Sequence, residues 1–376
     1  MQPKAARNIS IEALRLIAVA GIAVFHTFQW TFQATCVGLP EYAPLAAFPY
    51  SGVLGFINLL GCWANEVFFM ISGYFLIASA ARAWDGGTTW KSQMQRTAQR
   101  LGKVVMPTAF YCLVTLAWST VVSPIPDVTL NTHYWYTLGL EFIWVYAATV
   151  FMAPWFGLAK SRVSQKSSTT TVIAVGILAF VVNGYLAAMS TTNAGEFSWL
   201  QKLMSAATYV IAFLIGGLLR DVTDAMDSDK VGTLGMRSLE AVLAIATILE
   251  GVLSFTGNLT AMTTLSYKST SLISFALAAA SLLFAATRRS ASGNPRTAGV
   301  IVTLSTATLG FYVMQSLTSS LWRPVFNTLL ANILVSQNSP AAICIVTGTV
   351  ISIVFALALL IIDAARSLIA RKLKRQ

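Results

Sequence analysis

The chain has 376 residues, 56% of them hydrophobic and only 10% charged, with a formal charge of +11 and a mean hydropathy of +0.68. A water-soluble domain of this length carries far more charged surface, so that class is excluded. The positive charge does not indicate nucleic acid as a partner, because Lys and Arg fall in short segments between apolar runs rather than along one soluble face. Apolar runs of about 20 residues recur throughout, which predicts an all-α polytopic membrane protein of about ten transmembrane helices. The expected spans are 11–33, 53–80, 101–123, 134–157, 171–190, 199–219, 238–256, 270–287, 299–321 and 341–365. On this map 22 of the 25 basic residues fall on one side, and only Lys202, Lys268 and Arg323 on the other. That bias predicts a cytoplasmic location for both termini in a multi-pass cell (inner) membrane protein.

The first span carries Glu12, Arg15 and His26 in the run R-L-I-A-V-A-G-I-A-V-F-H at 15–26. In a helix, the step from Arg15 to His26 is about three turns, roughly 16 Å, and returns nearly to the same azimuth. An acid, a guanidinium and an imidazole therefore share one face from the expected membrane edge toward its middle. Ionisable groups inside a span are costly and face protein or a wet cavity, which makes this column a candidate site. The run is longer than a signal-peptide core and lacks a small-residue cleavage pattern, so no cleavable signal is expected.

The stretch 34–52 is rich in Pro and aromatics and is expected to form a small outer lid. The second span places Glu66 at a depth comparable with His26. A carboxylate bonded to the imidazole would hold its tautomer and stabilise the imidazolium; a packing or assembly role is the alternative. Next come Arg82 and Lys91, then Arg96, Arg100 and Lys103, which form one basic stripe leading into span three. The stripe reads either as a solvated inside face or as a clamp for phosphates. His133, with Tyr134, Trp135 and Tyr136, reads as an interfacial aromatic belt or as a platform for a sugar ring. Glu141, about two turns into span four, is a second intramembrane carboxylate, whereas Glu250 is placed near the outer end of span seven, where it reaches water. Span nine presents Ser, Thr, Tyr312 and Gln315 on one polar face. Glu12, Tyr134, Trp135, Tyr136, Glu141, Tyr312 and Gln315 are the candidate substrate-binding groups.

Four scattered cysteines and two distant histidines have no metal-ligand spacing, so no metal site is expected. The cysteines read as packing residues, with a Cys36–Cys62 disulfide left open. The remaining outer connections, 123–133, 191–198, 257–269 and 323–339, are too short for a soluble domain. The whole of 1–376 is therefore read as a single membrane-embedded domain with a basic tail at 366–376. No inverted pair of helices broken at matching positions is apparent.

In order along the chain, E-A-L-R at 12–15 with His26, F-F-M-I-S-G-Y-F-L at 68–76, the basic segment 96–107, W-Y-T-L-G-L-E at 135–141 and T-L-G-F-Y-V-M at 308–314 resemble the integral-membrane acyltransferase 3 family. The resemblance implies transfer of an acyl group, usually acetyl, from cytoplasmic acyl-CoA to a hydroxyl of a surface or envelope glycan, as in exopolysaccharide O-acetyltransferases. Arg15 and His26 match the family's essential pair, and Arg100 and Lys103 its basic motif before the third helix. Glu12 stands where Asp is more usual, Asn65–Glu66 replaces a Val-Asp-like pair, and Gln315 occupies a place where many members have His. The expected assignment is His26 as base or acyl relay, with Glu66 and Arg15 beside it. Arg96, Arg100, Lys103 and Arg15 would hold acyl-CoA, and a glycan or lipid-linked saccharide would be the acceptor. The rival reading is a proton-coupled transporter of a lipid-linked sugar using His26 and Glu66; oligomeric state is left open.

Overall fold

The computed structural model describes residues 7–126, 128, 140–190, 198–267, 270–288, 294–336 and 339–373. All regular structure there is helical: α1 (Ile9–Cys36), α2 (Ala43–Ala46), α3 (Tyr50–Asp85), α4 (Trp90–Val121), α5 (Glu141–Arg162), α6 (Gln165–Ser190), α7 (Ser198–Ala225), α8 (Ser228–Phe255), α9 (Leu259–Leu265), α10 (Leu272–Thr287), α11 (Pro295–Ser305), α12 (Thr308–Leu317), α13 (Ser319–Ser336) and α14 (Pro340–Leu373). Eight of these are long and apolar enough to cross a membrane, and α11 with α12 passes the same test as a ninth, bent by 42°. The apolar α10, of 16 residues, is shorter than its neighbours. The chain is an all-α polytopic membrane protein.

Two expected spans change shape. The run 299–321 is not one helix but α11 and α12, broken at Thr306–Ala307, and α13 occupies much of what reads as an outer loop. The α13 sequence includes Ser319, Ser320, Arg323, Pro324, Asn327 and Asn332. These lower its mean hydropathy, so the apolar signal stops before the helix does. The expected fourth span starts late as well: α5 begins at Glu141.

Helix α3 is the centre of the bundle. In its apolar window 72% of residues are buried, against 17% for α8, and it packs on α1, α5, α7, α8 and α10. Small residues allow this. A Cβ on Gly73 would lie 1.7 Å from the Phe213 carbonyl oxygen, and one on Gly216 would lie 2.0 Å from that of Met70, so α3 and α7 meet backbone to backbone. The start of α1 is tied to the end of α10 by Asn8. Its Oδ1 caps the amides of Ser10 and Ile11, while its Nδ2 donates to the Ala286 carbonyl at 3.1 Å. At the far end of the sequence α14 lies against α1. Ser352 Oγ donates to Thr27 Oγ1 at 2.8 Å, and Phe28 occupies the space left by Gly348.

Candidate active site

A cavity of about 1150 Å3 penetrates the bundle from the end where α1 begins and α14 finishes. Among the described residues, five cations line it: Arg7, Arg15, Arg100, Lys103 and Arg366. Deeper walls are apolar and aromatic, with Val19, Ile22, Phe68, Phe142, Tyr146, Phe311 and Tyr312. The volume slightly exceeds the usual range of small-molecule sites, about 300–1,000 Å3, so a large ligand fits.

The cations are held differently. Arg15 Nη1 pairs with Glu12 Oε2 at 2.9 Å, and the same oxygen accepts from Ser305 Oγ at 2.6 Å. Glu12 is buried, so it serves to aim Arg15 from α1 and to join α1 to the broken α11/α12 segment. Arg366 is held by Asp363, at 2.7 Å, and the buried Asp363 also accepts from Tyr111 at 2.8 Å. That triad exists because Gly310 makes room: a Cβ there would fall 2.1 Å from Asp363 Cγ. Arg100 donates to Ser79 Oγ at 3.3 Å, and Arg7 and Lys103 have no ion pair among the described residues. Arg96, expected with them, is exposed and does not line the cavity.

Sequence reading placed Arg7 and Arg366 only in the general basic bias. The signal for Arg366 was Asp363, a carboxylate at the end of a long apolar span with an arginine three residues on.

Along α1, Arg15, Val19 and Ile22 line the cavity in turn, and His26 lies one turn beyond Ile22 on the same face. Arg15 and His26 thus share one face of α1, and His26 is not among the residues lining the cavity. The bond partners of its imidazole are Gln29 and Arg323, not the expected Glu66. Arg323 Nη2 lies 3.2 Å from His26 Nδ1, whereas neither Glu66 carboxylate oxygen has a hydrogen-bond partner among the described residues. The reason is azimuth. The α3 face turned to α1 carries Leu60, Gly61 and Trp63, which meet Gly21 and Phe25. Glu66 lies on the stripe Gly55, Leu59, Cys62, which faces elsewhere: Gly55 toward Glu250 of α8, and Leu59 toward Ser274 of α10. Arg323, read as a loop cation, is brought to His26 by α13.

Tyr312 connects the cavity with this pair. It lines the cavity, its ring lies 4.6 Å from that of Phe142, and it interacts electrostatically with Arg323, Tyr209 and Glu141. Glu141 is the first residue of α5 and is exposed, not two turns inside a helix. Gln315 is buried, and its Nε2 makes no hydrogen bond among the described residues. Glu250 does not reach water: it is 1% exposed in the slot made by Gly55, and its carboxylate has no hydrogen-bond partner among the described residues. Tyr134, Trp135 and Tyr136, with His133, lie outside the described residues. Cys36 and Cys62 are both free thiols, and no group of three or more metal-ligating side chains occurs among the described residues.

The family model described as an acyltransferase domain (acyltransferase 3) matches residues 8–359. This chain belongs to the acyltransferase 3 family. It is thus a membrane acyltransferase, and the match spans the cavity lining from α1 to α12 and both His26 and Arg323. Asp363 and Arg366 lie beyond the matched region. Comparison with curated proteins and with solved structures finds no match.

Proposed function

We propose that this acyltransferase moves an acyl group, acetyl in the simplest case, from acyl-CoA to a hydroxyl of a cell-surface or envelope glycan or its lipid-linked precursor. The observation that carries the reading is the cavity. Its five cations suit a donor with several phosphates, since a single phosphomonoester already carries about −1.5 to −2 charges at neutral pH. Arginine forks match phosphate oxygens two at a time. The apolar walls suit the uncharged arm that follows, and the about 16 Å along α1 from Arg15 to His26 lets that arm deliver its thioester to the imidazole. The basic bias of the sequence supports a cytoplasmic location, where acyl-CoA is made, for both termini and the cavity mouth in a cell membrane.

In this mechanism the acceptor hydroxyl attacks the thioester carbon. Its proton goes to His26, the carbon–sulfur bond breaks, and the departing sulfur takes the proton from His26 to leave as CoA thiol. Alternatively the imidazole carries the acyl group as a transient acyl-histidine. The acceptor approaches from the side of Glu141 and Tyr312, and Tyr134, Trp135 and Tyr136 are further candidates to bind it.

The test uses purified protein in lipid nanodiscs with acetyl-CoA and an envelope glycan fraction, and measures free thiol. Wild type should release CoA in step with glycan acetylation. His26→Ala and His26→Gln should both fall at least about a hundredfold, the scale of a lost acid–base group, with unchanged yield of folded protein. Thiol release that persists in His26→Ala would remove His26 from the chemistry. Absence of CoA binding by wild type would remove the donor assignment.

A further inference from the structure

We infer that Arg323 is a positioning residue that fixes the proton of His26 on Nε2 and so keeps the ring from acting as a base until the guanidinium is drawn away. The argument begins with the contact of 3.2 Å between Arg323 Nη2 and His26 Nδ1. A guanidinium has five N–H donors and no lone pair, so in this bond Nδ1 must be the acceptor. A neutral imidazole whose Nδ1 accepts carries its hydrogen on Nε2. In a Ser-His-Asp triad a carboxylate at Nδ1 holds the hydrogen there and leaves Nε2 free to take a proton. Arg323 reverses that arrangement: the nitrogen left over is a donor.

The arginine is set in place by its neighbour. Trp322 is buried, donates through Nε1 to the Gln315 carbonyl at 3.0 Å, and packs on Phe326 and Phe355 with centroids 5.4 Å away in each case. That anchor fixes the first turn of α13 against α12 and α14, and Arg323 follows it. Among the described residues no carboxylate lies within ion-pair distance of Arg323, and its Nε has no hydrogen-bond partner. Tyr312 also acts on this guanidinium and the Trp322 ring lies 5.5 Å from its Cζ, while the contact with Nδ1 is its hydrogen bond to the ring of His26. The consequence for catalysis rests on the proposed role of His26. The location of the proton does not.

The protein has two histidines, so His133→Gln leaves a single imidazole in the full chain. With ring-15N histidine incorporated and the protein in nanodiscs at neutral pH, NMR reads which nitrogen is protonated. The expected result is a hydrogen on Nε2 and a bare Nδ1. Arg323→Lys, which keeps a donor, should preserve that tautomer, and Arg323→Met should let the Nδ1–H form become a substantial fraction. A hydrogen on Nδ1, or on both nitrogens, in the parent protein would overturn the inference. So would an Arg323→Met protein that elutes as the same monodisperse peak with its tautomer unchanged. If Arg323→Met does not fold, the parent spectrum decides alone. A failed acylation assay with the expected tautomer would count against the proposed function and leave this inference standing.

Discussion

Arg15 reaches the cavity because Glu12 aims it, and Glu12 is itself fixed by Ser305 from a distant part of the chain. Lys103 reaches the same cavity with no such support. The two positions therefore differ in what they lose on substitution. Glu12→Gln removes the charge that holds Arg15 and should raise the KM for acyl-CoA about tenfold, equivalent to about 1.4 kcal/mol. It should also lower the unfolding temperature, because a buried charge-assisted contact weakens. Lys103→Ala should raise KM by a similar factor and leave the unfolding temperature unchanged. Steady-state kinetics beside thermal melts in detergent check the contrast; a matching loss of stability in Lys103→Ala would show that its ammonium supports the fold. Arg15 and His26 were legible in the sequence because eleven residues bring a helix back to one face, whatever packs on it. Glu66 was misread because azimuth between two helices is set by their packing, which no single-helix pattern contains. Arg323 was illegible for a different reason: its helix is too polar to register as a span.

Helices α11 and α12 show how one element changes the site without adding chemistry. The break at Thr306–Ala307 places Ser305 beside Glu12, and Thr308 and Leu309 on the cavity wall. It also leaves Gly310 facing Asp363 on α14. An unbroken helix would carry these groups past the cavity. Gly310→Ala would push on the Asp363 carboxylate and should cost about 1–3 kcal/mol, as overpacking does. Gly251, in α8, has no atom within 4 Å of an added Cβ. Gly251→Ala should be neutral or mildly stabilising, by up to about 1 kcal/mol of helix propensity. Equal melting temperatures for the two variants would show that α12 and α14 yield to the added methyl group. In the sequence this break reads as ordinary Ser/Thr content in an apolar run, so the ninth span appeared continuous. The long spans needed no such detail, since about 20 apolar residues suffice to mark a crossing.

For the molecule as a whole, the distribution of charge makes a claim about orientation. With the cavity mouth and both termini on the basic side, tags placed before Arg7 and after Leu373 should be protected together in sealed right-side-out vesicles and cleaved together in inverted ones. Cleavage of one tag in each preparation would require an odd number of crossings and would move the donor cavity away from cytoplasmic acyl-CoA. The architecture also has a consequence for biosynthesis. Arg15 lies in the first helix and Arg366 in the last, and the two line one cavity only after α14 has settled against α1 through Ser352, Thr27, Phe28 and Gly348. A nascent chain halted anywhere before α14 has His26 in the membrane but lacks one wall of the cavity. Chain order alone thereby delays completion of the cavity until α14 is inserted.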